Sequence, residues 1–191
     1  MNLDIRMDLS GALLGLAQLS DRQAQASINR SLNRAASSTG KLANSLVRKE
    51  LNVKATAFRR DRLITVKRAI GSEREARVTI TGKNPPLTEF RGTRQTKRGL
   101  TVKIYKSSSR KLLKSRFIYP GSRGPISAER KMVGDRRVGR GPVKFLFGPG
   151  ASQFAAKPLV LGKLEANARE RFAVEFERDV AFRLSKLSSG A

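Results

Sequence analysis

The chain has 191 residues, enough for one domain with a real core, and carries 40 Lys and Arg against 15 Asp and Glu, a formal net charge of +25. It contains no Cys and no His, which excludes disulfides, thiolate metal sites, histidine-based nucleophilic triads and the commonest metal ligand. Such an excess of one sign repels itself in a compact monomer, so a polyanion or an acidic protein surface is the natural counterweight.

Hydrophobic residues make up 39% of the chain, so a folded core is expected rather than disorder. No apolar run approaches the ~20 residues of a membrane span, so no membrane partner is expected. The N-terminus, MNLDIRMDLS, carries acids where a secretory signal carries basic residues. The charge is concentrated in the middle: residues 91–144 hold seventeen basic and two acidic side chains, whereas residues 1–40 hold four and three and residues 145–191 hold seven and five. The ends read as scaffold and the middle as a contact surface.

In chain order, Leu3, Ile5 and Met7 alternate with polar residues as a short edge strand does. A helix is expected from Asp8, with Leu9, Leu13, Leu16 and Leu19 on one side. Ser20-Asp21-Arg22-Gln23 fits a capping box and marks a new helix start. Ala24, Ile28, Leu32, Ala35, Thr39, Leu42 and Leu46 recur at helical spacing and predict a long helix to about Leu51, with an interruption expected near Gly40. Its stripe of mostly small residues suits close approach, either to the protein's own core or to another subunit. A helical turn over residues 54–61 precedes β-like sequence. Ile64, Val66 and Ile70, then Val78 and Ile80, alternate around a loop at Gly71-Ser72-Glu73-Arg74-Glu75.

Asn84-Pro85-Pro86 breaks the chain, and residues 87–91 are expected as a short strand. Leu100, Val102 and Ile104 form an alternating face, and Leu113, Phe117 and Tyr119 suggest one further strand, paired across Ser107-Ser108-Ser109. Residues 120–142 are rich in Gly and Pro interleaved with Arg and are expected as a long basic loop. Val143, Phe145 and Phe147 read as a last strand, ended by Gly148-Pro149-Gly150. Pro158 opens a C-terminal helix whose stripe is Leu161, Leu164, Ala168, Phe172, Phe176, Val180, Leu184 and Leu187. Glu165–Arg169 and Asp179–Arg183 are expected as ion pairs on its exposed side. The expected fold is a single α+β domain over residues 1–191: long N- and C-terminal helices packed on an antiparallel β-meander that carries the basic loop.

No catalytic residue, metal ligand or cofactor site is expected. Glu175, Glu177 and Asp179 sit near one another but read as the solvated face of a helix. No Walker loop or dinucleotide fingerprint is present, since Gly139-Arg140-Gly141 and Gly148-Pro149-Gly150 lack the spacing and the strand-to-helix context. What remains is the basic middle. The candidate nucleic-acid-facing residues are Arg94, Lys97, Arg98, Arg110, Lys111, Lys114, Arg116, Arg123, Arg130, Lys131, Arg136, Arg137 and Arg140. Lys and Arg neutralise phosphates and release counterions, which gives affinity without sequence preference. Of the aromatics in this stretch, Tyr105, Phe117 and Tyr119, two fit a core-facing strand position, which argues against a base-stacking platform.

Ala26-Ser27-Ile28-Asn29-Arg30 with Ala35-Ala36, then Val53-Lys54 and Phe58-Arg59, resembles the N-terminal half of the minor tail protein Z family, the tail completion proteins of lambda-like long-tailed bacteriophages. The likeness continues in layout through the β-rich basic middle to the Pro-initiated C-terminal helix. It implies a structural protein of the virion, assembled in the host cytoplasm, at the head-proximal end of the tail. There it would meet tail terminator, tail tube or neck proteins and make the tail competent for head joining. Tail tubes and their terminators are commonly six-fold rings, so a homo-oligomer, a hexamer first, is implied. Its lumen would face double-stranded DNA or a tape-measure protein. Six copies would set a total charge on the order of +150 against duplex that carries a negative charge about every 1.7 Å. The alternative is a sequence-independent nucleic-acid packager or a ribosomal-type RNA binder, acting as a monomer or dimer.

Overall fold

The computed structural model describes residues 20–72, 74–122, 124–130, 132–133, 136–137 and 143–189. The strand expected at Leu3, Ile5 and Met7 and the helix expected through Leu9, Leu13, Leu16 and Leu19 lie outside them. The fold is α+β, with long N-terminal and C-terminal helices and antiparallel sheets. The chain, expected as one domain, groups into two compact units. One takes the residues up to Ser45, Ile64–Thr81 and the chain from Ala155 on; the other takes Leu46–Leu63 and Gly82–Phe154.

Helix α1 (Asp21–Glu50), of which the part up to Ser45 belongs to the first unit, begins behind Ser20. The Ser20 N–H donates to Gln23 Oε1 at 3.4 Å, the return half of the capping box. The helix runs through Gly40 without the expected interruption. A Cβ at Gly40 would stand 2.9 Å from Val66 Cγ2, so the glycine admits the hairpin rather than breaking the helix. The buried stripe is Ile28, Leu32, Ala35, Ala36, Thr39 and then Ala43 and Val47, with Leu42 and Leu46 half-buried beside it.

Strands β1 (Ile64–Lys67) and β2 (Arg77–Ile80) pair antiparallel as the expected hairpin, in the register Ile64 to Ile80. Only β2 buries its apolar residues, Val78 and Ile80; Val66 and Ile70 are exposed. Beyond β1 the hairpin is held by α1. Asn33 Nδ2 donates to the Ala69 carbonyl at 3.0 Å, and the Ala69 N–H donates to Asn33 Oδ1 at 2.8 Å. Asn29 Nδ2 donates to the Gly71 carbonyl at 2.7 Å. The C-terminal helix α4 (Pro158–Ser189) closes this core with Phe172, Phe176 and Val180, packed with Ile28, Leu32, Ala69 and Val78. The stripe of small residues on α1 is therefore part of this unit's own core.

The solvated reading of the α4 acids holds for Glu177, which is exposed, and is corrected for Asp179 and Glu175. Asp179 is buried and lies between Arg30 of α1, at 2.9 Å, and Arg183, at 2.8 Å. Glu175 accepts from Arg34. Both carboxylates join the two helices, because Arg30 and Arg34 lie one helical turn apart and meet acids four residues apart on α4. Burial pushes the Asp179 carboxyl up, but the hydrogen bonds from Arg183 and Arg30 outweigh it and hold the group below the usual carboxylate range.

In the second unit, α2 (Ala55–Arg60) fills the expected helical turn. Residues 87–91 are not a strand. Pro85 and Pro86 supply no N–H to a ladder, and Leu87–Glu89 forms a 3₁₀ turn that ends in the fully buried Phe90. Strands β3 (Arg94–Thr96), β4 (Gly99–Val102) and β5 (Lys111–Lys114) form one sheet in that order, with Leu100 opposite Leu113. The strand expected from Leu113 to Tyr119 is two strands, because Ser115 takes a left-handed φ of 60° between them. Strands β6 (Arg116–Gly121), β7 (Gly124–Arg130) and β10 (Val143–Phe145) make a second sheet in the order β10-β7-β6.

The long loop expected over residues 120–142 is thus in its first half a hairpin. Pro120 faces Pro125 and Gly121 faces Gly124 at its end. Two prolines can face each other only where the ladder asks for no N–H. Farther on, β8 (Met132–Val133) pairs with β9 (Arg136–Arg137). A short helix, α3 (Ala151–Ala155), completes the set.

Candidate nucleic-acid interface

The β3–β4 hairpin is closed by Gly99 at φ 140°, where a Cβ would stand 2.3 Å from the Leu113 carbonyl oxygen. Only glycine fits that approach, and Lys97 and Arg98 are carried at the exposed tip. Gln95 on β3 accepts the Ile118 N–H at 2.9 Å, which ties β3 to the neighbouring β6. Between these elements runs an open groove of about 580 Å³ lined by Lys97, Arg98, Lys114, Arg116 and Arg130, with Gln95, Gly99, Ser115, Phe117 and Glu129. Five of the residues expected to face nucleic acid therefore meet in one groove, against a single carboxylate among its described lining residues.

That carboxylate is occupied. Glu129 sits in register between Arg116 on β6 and Lys144 on β10. Its Oε2 accepts from Arg116 Nε at 2.9 Å and lies 2.9 Å from Arg116 Nη2, and its Oε1 is 3.8 Å from Lys144 Nζ. Arg116 is thus largely matched inside the sheet, while Lys97, Arg98 and Lys114 add further positive charge to the groove and Arg130 lies over the Phe117 ring.

The other candidates are placed elsewhere. Arg94 lies on the outward face of its sheet, in register with Thr101. Lys111 sits opposite Val102 at the far end of β5, about 10 Å from Lys114 at ~3.3 Å per residue. Arg110 lies beside Gly92, its Nη2 3.0 Å from where a Cβ would stand. Arg136 pairs with Val133 and Arg137 with Met132 in the β8–β9 hairpin. Arg123, Lys131 and Arg140 fall outside the described residues. Among the described residues no group of three or more His, Cys, Asp or Glu could hold a metal ion, and no helix is long and apolar enough to cross a membrane.

No family model, curated protein or solved structure matches the chain. The site is therefore read from its own chemistry.

Sequence reasoning missed the aromatics. Tyr119, expected on a core-facing position, is 40% exposed, and Phe145 on β10 is 41% exposed. Their ring centroids lie 6.1 Å apart. The signal was present in the period-two pattern: Phe117, Tyr119, Val143 and Phe145 all fall on one face of the sheet. Nothing in the sequence says that this face is open.

Proposed function

We propose that the chain is a structural, non-enzymatic protein that holds a polyanion, nucleic-acid backbone first, along the groove between the β3–β4 tip and the β6–β7 hairpin. The observation that carries this reading is the convergence of Lys97, Arg98 and Lys114, beside Arg116 and Arg130, on one groove in which Glu129, the one carboxylate among the described lining residues, is already bound to Arg116. Among its described lining residues the groove has one carboxylate, already paired, and no Cys or His, so the chemistry these residues offer is charge neutralisation. Taken with the resemblance of residues 26–59 and of the C-terminal helix, the proposed setting is the head-proximal end of a phage tail. A ring of copies would there line a lumen with such grooves and face the end of the packaged duplex. Arg30 and Arg34, which hold α1 to α4, belong to the scaffold and not to the contact surface.

The test is the salt dependence of duplex binding. Replacing Lys97, Arg98, Lys114 and Arg130 together by Gln should lower the log–log salt slope by up to about 3.6, at about 0.9 per lost phosphate contact. Replacing the exposed Arg171 and Arg178 of α4 should leave it unchanged. If the groove variant fails to complete tails in an assembly assay but keeps the wild-type slope, the groove binds an acidic protein and the nucleic-acid reading is wrong.

A further inference from the structure

The β10-β7-β6 sheet has two faces of unlike chemistry. On one, Ser127 is buried; its hydroxyl donates to the Leu146 carbonyl at 2.7 Å and accepts the Leu87 N–H at 3.1 Å. The Arg116–Glu129–Lys144 row lies on this same side. The opposite face carries Phe117 and Tyr119 from β6, Ile126, Ala128 and Arg130 from β7, and Val143 and Phe145 from β10. Ala128 stands in register between Phe117 and Phe145, and its small side chain lets Tyr119 and Phe145 meet across the central strand, tilted by 53°. The Arg130 guanidinium lies 5.7 Å from the Phe117 ring centroid, on the ring's face. Among these seven residues there is no carboxylate.

We propose that this aromatic face takes the bases of a single-stranded nucleic acid whose phosphates run in the adjoining groove. The proposal rests on the groove reading above. Phe117 and Arg130 belong to both surfaces, since each lines the groove and each stands on the aromatic face. A nucleotide carries its base and its phosphate on opposite sides of the sugar, so a strand tracking the groove turns its bases toward Tyr119 and Phe145. A duplex keeps its bases stacked on one another and offers nothing to lay on an exposed ring, whereas an unpaired base does. A second copy of the chain seated face to face suits it less well, because it would bring Arg130 to Arg130 with no carboxylate among the face's seven residues.

The experiment compares three probes of the full chain at one salt concentration: a 20-nucleotide deoxythymidine strand, an abasic deoxyribose-phosphate strand of the same length and charge, and a 20-base-pair duplex. The wild type should prefer the base-bearing strand to the abasic one. Tyr119→Ala and Phe145→Ala should each weaken it by roughly 5- to 150-fold, the range of one lost base stack, and leave the abasic strand and the duplex unchanged. Tyr119→Phe should bind as wild type, because the ring and not the hydroxyl makes the contact. Equal binding of the base-bearing and abasic strands by the wild type overturns the proposal, as does an equal loss on all three probes in the alanine variants. Loss of a dimer with unchanged strand binding assigns the face to a second copy and overturns it too. Failure of the groove reading is distinguishable: a variant with Gln at Lys97, Arg98 and Lys114 alone, which leaves Arg130 on the aromatic face, would then bind all three probes as wild type does.

Discussion

Replacing Asp179 by Asn removes one negative charge from the seam between α1 and α4 while keeping the side chain's shape. The carboxylate is 3% exposed; its partners Arg30 and Arg183 are 52% and 22% exposed. Arg30 can turn back to water, so its pair counts near the surface value of ~0–1 kcal/mol. Arg183 is mostly covered, and its charge-assisted bond counts for about 1.5–3 kcal/mol. The Asn variant should therefore lose roughly 1.5–4 kcal/mol in urea unfolding at pH 7 followed by helical circular dichroism. The pH dependence has a definite sign. The folded carboxyl titrates below its unfolded value, so its contribution is complete above about pH 4 and is lost as pH falls through the lower, folded value. Wild type should weaken between pH 5 and pH 2.5 by more than the Asn variant does, and a double-mutant cycle with Arg30→Ala should show coupling that disappears at the acid end. A variant within about 0.5 kcal/mol of wild type, or a pH profile that the substitution does not change, would refute the view that Asp179 links the helices.

Phe172 and Phe176 stack at 5.6 Å in the core of the first unit, both almost wholly buried. Phe176→Ala should cost about 3–5 kcal/mol and Arg169→Ala, on the exposed side, under about 1 kcal/mol; equal shifts in a thermal melt would show that the buried face is misassigned. Gly99 and Gly124 both take positive φ, but only Gly99 has a carbonyl in the space of a Cβ. Gly99→Ala should therefore destabilise by at least ~1 kcal/mol more than Gly124→Ala in urea unfolding, and equal losses would mean that conformation alone sets the penalty.

The long helices were legible because their stripes repeat over many turns. Ser20 and Gln23 marked the start of α1 correctly, and Pro158 that of α4. The stripe on α1 was misplaced late, at Leu42 and Leu46 instead of Ala43 and Val47. Larger side chains draw the eye, but close packing here takes the small ones. Asp179 and Glu175 were misread because a charge on a helix looks solvated until the helix beside it is known, and Arg30 is 149 positions away in sequence. The hairpin end at Pro120-Gly121 and Gly124-Pro125 read as loop because each residue alone breaks a strand. Set opposite one another, the prolines make no demand on the ladder. At the candidate site, the dense charge of residues 91–144 was plain, but its division was not. Lys111 and Lys114 are three residues apart on one strand and serve opposite ends of it, and only the pairing with β4 decides which end joins the groove.

The Asn33 amide gives the Ala69 backbone both a donor and an acceptor, in the same two-bond exchange that a neighbouring strand would offer. A carboxylate there would present two acceptors and meet the Ala69 carbonyl oxygen by repulsion; a hydroxyl would span one bond and orphan the other. Position 33 thus has a chemical vocabulary of very few words. It should accept almost no substitution, although it is only half-buried. A mutational scan judged by exposure alone would class it as an ordinary polar position and find it as intolerant as the core.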